Sequence, residues 1–225
     1  MKTERIDSFI KFLDKELQPG IGELEKLSDK NRKHVQKLVY TNLVDRFDHL
    51  VDKLLLDNCR EERLVSKAFE SNDKQVTESD LVTLLLNSGD LQSALDSRLQ
   101  DKLRLSVLRQ RHSRKLFTFL GLFEDLGEYD KKPRVNPSNG DITDSFKVQV
   151  KTTPHSICGY ADWLYSRRNA IVHGAGTVSF LDNDKTQIKK LYKVNITKTF
   201  KISTASIKTA ATFYKNLCSL IKENG

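Results

Sequence analysis

From Leu91 to Val107 an apolar side chain returns at every fourth position: Leu91, Leu95, Leu99, Leu103 and Val107. That step fits the roughly 3.6-residue turn of an α-helix and not the alternation of a strand. The same spacing recurs along most of the chain. Ile6, Phe9, Ile10, Leu13 and Leu17 share one face over 3–17. Val39, Leu43, Phe47, Leu50 and Leu54 do so within 30–58, and Ile207, Ala210, Tyr214, Leu217 and Ile221 within 204–222. An all-α bundle is the expected architecture, because stripes of this kind bury themselves against one another.

The punctuation sets the boundaries. Pro19-Gly20 is expected to stop the first helix, and 61–70 forms a short one. Thr77 with Asp80 resembles a capping arrangement for a helix through Leu86, ended by Ser88-Gly89-Asp90. The helix starting at Leu91 is expected to run to about 124, with Phe117, Leu120 and Phe123 prolonging its apolar face. GEYDKKPRVNPSNGD then breaks the pattern, so 125–153 is expected to be a mobile loop with a short strand at FKVQV. Thr153-Pro154 opens the next helix, 154–173, because proline at the first helical position sacrifices no hydrogen bond. Gly174 ends it, and LYKVNITKTFKIS alternates like a small β-ribbon near 189–203.

At 225 residues a single domain spanning 1–225 is expected, large enough to bury roughly 70% of its unfolded surface. Cys59, Cys158 and Cys218 are odd in number and form no CxxC pair, so neither a disulfide framework nor a zinc site is indicated. No apolar run approaches the roughly 20 residues that span a bilayer. The opening MKTERIDSFIKFLDKEL does not read as a signal peptide, so a cytoplasmic setting without membrane contact is expected. The net charge of +8 makes polyanions plausible partners.

Candidate chemistry concentrates in WLYSRRNAIVHGAG, residues 163–176. On a helical wheel the apolar face of 154–173 is Ile157, Ala161, Leu164 and Ile171, with Arg168 in its middle and Arg167 nearer the solvated edge. A guanidinium keeps its proton, so one on an apolar stripe requires an anionic or hydrogen-bonded partner. Without a role in chemistry, Arg168 either pairs with a carboxylate within the bundle or snorkels past the stripe. His173 in the last turn is favoured by the helix dipole and is also the best proton-transfer candidate in the chain. Five residues of ideal helix set Arg168 and His173 about 140° and roughly 7.5 Å apart. The two converge only if the helix end distorts, or if a second copy of the segment completes the site across a two-fold axis.

Arg168-Asn169-Ala170-Ile171-Val172-His173 resembles the arginine, polar residue, three residues, histidine pattern of HEPN-domain ribonucleases. The RRNxIxHG form is most similar to stand-alone defence-linked types, including those near RNA-repair ligase systems. A motif at the end of a late helix, in an all-α chain with one more helix after it, agrees with that family's architecture. The resemblance implies a HEPN-like bundle acting as a homodimer through helix 154–173, with no cofactor and no metal. It implies an endoribonuclease in which the ribose 2′-hydroxyl attacks the adjacent phosphorus. His173 would move protons, Arg168 would neutralise the phosphorane, and Asn169 would orient the histidine or a phosphate oxygen. A toxin or antiviral effector held by an antitoxin or regulatory partner fits the same resemblance.

Substrate contacts are expected from Arg167 beside the motif; the basic stretch 98–115, with Arg111 and Arg114, is either a solvated helix face pairing with acidic surfaces of neighbouring helices or a surface that tracks RNA phosphates. Lys189 and Lys190 on the ribbon would hold a strand, and Tyr192 or Phe200 would stack a base or serve the core. His112 and His155 are read as surface residues. The alternative is a catalytically inactive HEPN-like RNA-binding or adaptor module. DNA binding ranks last, as no helix-turn-helix is recognisable.

Overall fold

The structure, a computed structural model, describes residues 3–70, 77–87, 90–123, 134–144 and 152–224. It is predominantly helical, as the spacing indicated, with one small β element. The first helix does not stop at Pro19. Helix α1 (Glu4–Phe12) passes through a π-helical turn at Leu13–Leu17 into α2 (Gln18–Glu23), with the proline in the first turn of α2. A π turn widens the hydrogen-bond ladder where the proline ring would otherwise meet the carbonyl four residues earlier. The chain reverses at Leu27, in extended conformation.

Helix α3 (Asp29–Asp57) is the spine. Its 29 residues extend for about 43 Å. It packs against α1, and against three later helices: α7 (His112–Leu120), α8 (Ile157–His173) and α10 (Thr204–Asn224). Leu43, Phe47, Leu50 and Leu54 are buried as their spacing required. Phe47 stacks on Tyr214 of α10 with ring centroids 4.1 Å apart, tying the spine to the last helix.

Helices α4 (Glu62–Phe69), α5 (Glu78–Asn87) and α6 (Leu91–Ser106) follow α3. The reciprocal cap of α5 is present: Thr77 N donates to Asp80 Oδ2 (3.0 Å), and Asp80 N to Thr77 Oγ1 (3.2 Å). Asp90 caps α6 by accepting from Gln92 N and Ser93 N. The long helix expected from Leu91 to about 124 is instead two, α6 and α7, divided at 107–111. Arg111 there is extended (ψ 144°) and directs its guanidinium into buried carboxylates. The backbone at the break keeps bonds of its own, Gln110 N donating to Val107 O (3.0 Å) and Arg114 N to Arg111 O (2.8 Å).

The 125–153 segment is not all loop. Strands β1 (Arg134–Val135) and β2 (Ile142–Thr143) form an antiparallel hairpin whose Val135 enters the core. FKVQV lies outside the described residues. Helix α8 begins at Ile157, not Pro154, because Ser156 caps it by accepting from Gly159 N (3.1 Å). The ribbon expected near 189–203 is only partly extended. Residues 182–192 are helix α9 (Asp182–Tyr192), and strand-like pairing is confined to a Ser179–Thr199 bridge. DNDKTQIKKLY offers only Ile188 and its terminal Leu191-Tyr192 as apolar markers, too few to reveal helical periodicity.

At the hairpin turn Gly140 has φ +84°, and a Cβ there would lie 2.2 Å from Thr209 O on α10. Gly22, in α2, has nothing within 4 Å of its Cβ position. Gly140→Ala is therefore expected to cost about 2 kcal/mol, lowering Tm by about 4–8 °C. Gly22→Ala is expected to leave Tm unchanged or raise it. Thermal unfolding of both variants checks this, and equal melting temperatures would count against the close hairpin contact.

Candidate functional site

Helix α8 lies among α3, α7 and α9, with β1 near its start. Because neighbours enclose it so widely, burial along α8 is centred away from the apolar wheel drawn on sequence alone. The two arginines exchange environments as a result. Arg167, expected near the solvated edge, is 5% exposed. Its guanidinium carbon lies 4.5 Å from the Trp163 ring centroid, 5.1 Å from Phe200 and 5.2 Å from Tyr40, and Nη2 donates to Lys201 O (2.5 Å). A cation enclosed by three aromatic faces serves the core. Arg167 is therefore a scaffold residue and is poorly placed to touch a phosphate.

Arg168, expected mid-stripe, is only half-buried. Its Nε lies 2.6 Å from Asp45 Oδ1 of α3, Nη1 donates to Asn169 Oδ1 (3.2 Å), and its guanidinium carbon is 5.6 Å from the Tyr165 ring centroid. The Nε–H is not aligned on the carboxylate as a hydrogen bond would require, so the contact is one of charge. The structure thus supplies Arg168 with the carboxylate within the bundle.

Asn169 points to the other side, donating to Asp184 Oδ2 of α9 (3.3 Å). Asp184 also accepts from Arg111 Nη1 (2.9 Å). Arg111 Nε donates to both Asp162 oxygens (2.8 and 2.9 Å), and Nη2 to Ser166 Oγ (3.0 Å). Burial pushes the Asp162 carboxyl above the usual range, although the Arg111 charge opposes it. Arg111, expected to bind substrate, thus commits its donors to holding α7, α8 and α9 together. Arg114 is exposed on α7, while Lys189 and Lys190 are exposed in the last turn of α9 rather than on a ribbon. Phe200 packs on Phe180 (4.9 Å) and Tyr192 borders the same small core of Phe180, Ile188 and Ile196, so both serve packing.

His173 is exposed at the end of α8. The helix stays regular there: Gly174 N donates to Ala170 O (2.9 Å), and Gly176 N then reaches back to Ile171 O (2.8 Å). Ala175 and Gly176 have φ of 53° and 76°, and Lys37 Nζ of α3 donates to Gly176 O. With no distortion at His173, one helix does not turn its side chain toward Arg168. The open sector of the last turns of α8 comprises Tyr165, Arg168, Asn169, Val172 and His173, of which Val172 is 47% exposed.

Sequence reasoning missed the most heavily charged part of this region. His112, read as a surface residue, is 1% exposed and stacks on Tyr165 (4.9 Å between centroids, 8° between planes). Its Nδ1 donates to Asp48 Oδ1 (2.5 Å), and Lys115 Nζ lies 2.7 Å from both Asp48 and Asp52. His155 is half-buried beside the Val135 carbonyl (3.4 Å). Asp45, Asp48 and Asp52 fall at i, i+3 and i+7 on one face of α3. That spacing is visible in the sequence, but an acidic stripe is usually a solvated face. Among the described residues no three His, Cys, Asp or Glu side chains converge as a metal site would require.

No protein-family model, no curated protein and no solved structure matches the chain.

Burial works against the Asp48 charge, but the hydrogen bond and charge of His112, together with Lys115, outweigh it and hold its pKa at about 2 rather than 3.8. A carboxylate with a depressed folded pKa stabilises the fold above its unfolded value, and that contribution is lost as pH falls through the folded one. The pH-dependent part amounts to about 2 kcal/mol. Asp48→Asn is expected to destabilise the protein clearly at pH 6, and by about 2 kcal/mol less near pH 2. Urea unfolding at both pH values measures this, and a gap independent of pH would contradict it.

Proposed function

We propose that the protein is a metal-independent endoribonuclease whose site is completed by two copies of α8 in a homodimer. One observation carries the reading. Arg168 and Asn169 are held by Asp45 and Asp184, His173 stands exposed one turn further on a regular helix end, and Val172 leaves an apolar contact open between them. An arginine and a histidine fixed on a stiff helix, about 140° apart, serve one phosphate only when a partner helix supplies the second group. An isologous interface along this sector supplies it.

In the proposed reaction the 2′-oxygen forms a bond to the adjacent phosphorus as its proton leaves, and the bond from phosphorus to O5′ breaks. The products are a 2′,3′-cyclic phosphate and a 5′-hydroxyl. His173 takes the 2′ proton or returns one to O5′, and Arg168 neutralises the extra charge on the phosphorane. Asn169 positions the histidine or a phosphate oxygen. Exposed Arg114, Lys189 and Lys190 supply cationic contacts along the strand.

The Asp45–Arg168 pair favours a second reading. A guanidinium already neutralised by a carboxylate stabilises a phosphorane poorly, which suits an RNA-binding or adaptor module without cleavage, or an enzyme at rest.

Incubation of purified protein with RNA in the presence of a chelator separates these. Arg168→Ala and His173→Ala are each expected to reduce cleavage by about a hundredfold or more with RNA binding retained. Cleavage indifferent to either change would exclude the proposed chemistry, and binding without any cleavage would favour the adaptor. Val172→Asp is expected to convert a dimer to a monomer by light scattering and to abolish cleavage while the monomer stays helical by circular dichroism, with a Tm that no longer depends on protein concentration. A wild-type monomer at micromolar concentration would defeat the composite site.

A further inference from the structure

A groove of about 780 Å3 runs between the first helical segment and the N-terminal half of α3. Leu24, Leu27 and Leu38 belong to its apolar lining, and Leu38 is 55% exposed. Along α3 it extends from Val35 to Asp45, ten residues or about 15 Å, which is the length of about three helical turns. Gly20 on the opposite wall has nothing within 4 Å of its Cβ position, so an incoming side chain meets no obstacle there.

The charged side chains that line this groove are all acidic, with Arg46 beside them over the ring of Phe12 (4.0 Å). The protein carries +8, yet the lining contains Glu16, Glu23 and Asp45 and no lysine or arginine. Two of those carboxylates already draw a cation in from outside the lining, Glu23 from Lys26 (2.7 Å) and Asp45 from Arg168 (2.6 Å). An apolar trough of helical length with a carboxylate rim suits an amphipathic helix with basic flanks.

Asp45 belongs both to this groove and to the α8 site. Its side chain is 43% exposed against 19% for Arg168, so the carboxylate is the more accessible member of the pair. A cation arriving from the groove competes for it. We infer that the groove is the docking site for a short amphipathic helix of a partner protein, with lysine or arginine on its flanks, and that a cation of that helix reaching Asp45 releases Arg168. The docking rests on the groove alone. That release switches on catalysis rests on the ribonuclease reading.

Fluorescence anisotropy with defined peptides tests the docking. The probe is a labelled 18-residue helix with leucine on one face and lysine on its flanks. It is compared with the same helix carrying glutamate for lysine, and with a proline-broken version. The lysine helix is expected to bind at least tenfold tighter than either. Leu38→Asp is expected to weaken it at least tenfold, and the Glu16→Lys/Glu23→Lys double variant to invert the charge preference. Equal affinities, no binding to the wild type, or binding unaffected by these exposed substitutions would overturn the docking. Self-association abolished by Leu38→Asp but kept in Val172→Asp would assign the groove to a second copy and overturn it as well.

Phenylglyoxal labelling followed by mass spectrometry tests the coupling. The lysine helix is expected to speed modification of Arg168 severalfold, and Asp45→Asn to do so without peptide. An unchanged rate in both would overturn the coupling. Neither readout uses RNA, so loss of the ribonuclease reading and loss of this inference are distinguishable.

Discussion

The acidic face of α3 governs the rest of the structure. Asp45, Asp48 and Asp52 each meet a cation or a histidine donated by another helix: Arg168 from α8, and His112 and Lys115 from α7. A buried or half-buried charge must be matched, and mismatching one leaves an uncompensated ion. Apolar side chains such as Leu116, Phe119 and Leu164 pack α7 and α8 into the core, and the rotation they adopt also brings all three carboxylates to their partners. That rotation also turns Arg167 into its aromatic enclosure and leaves the sector from Arg168 to His173 facing outward. The exposed motif thus follows from how charges inside the bundle are paired.

A second set of charges fixes the same helix from the other side. Arg111 joins Asp162 and Ser166 of α8 to Asp184 of α9, and Asp184 in turn holds Asn169. Arg168 and Asn169 therefore answer to different neighbours, α3 and α9. The two are also joined to each other, Arg168 Nη1 donating to Asn169 Oδ1 (3.2 Å), so a displacement of either neighbour acts on both. Asp45, which lines the groove beside α3 and also pairs with Arg168, is the residue the two regions share.

Much of the helical framework was legible from spacing. Leu43, Phe47, Leu50 and Leu54 on α3, and Ile207, Ala210, Leu217 and Ile221 on α10, are buried where their periodicity placed them. Local capping was legible as well, since Thr77 and Asp80 carry their own geometry. Local causes account for two failures, the π turn at Pro19 and the sparse apolar markers of α9, and interactions distant in sequence account for the others. Pro19 does not break its helix because a π turn accommodates it. The long helix after Leu91 divides because Arg111 finds carboxylates 51 and 73 positions away. Arg167 and Arg168 trade environments because α3, α7 and α9 enclose α8 more completely than a two-sided wheel allows. His112 is hidden for the same reason, its partner Asp48 lying 64 residues earlier. The site residues Arg168, Asn169 and His173 were visible only as a motif. The carboxylates that hold two of them were not, because an aspartate on a helix reads as solvated until its partner is known.

Complementation between two inactive variants tests the composite site most directly. Arg168→Ala and His173→Ala protomers, unfolded together and refolded as an equimolar mixture, give half heterodimers. If each site takes Arg168 from one protomer and His173 from the other, every heterodimer holds one intact site. The mixture then recovers about a quarter of wild-type ribonuclease activity, while neither variant alone shows any. A mixture as inactive as its parents, with heterodimers demonstrated by mass spectrometry, would contradict a site shared between two copies of α8.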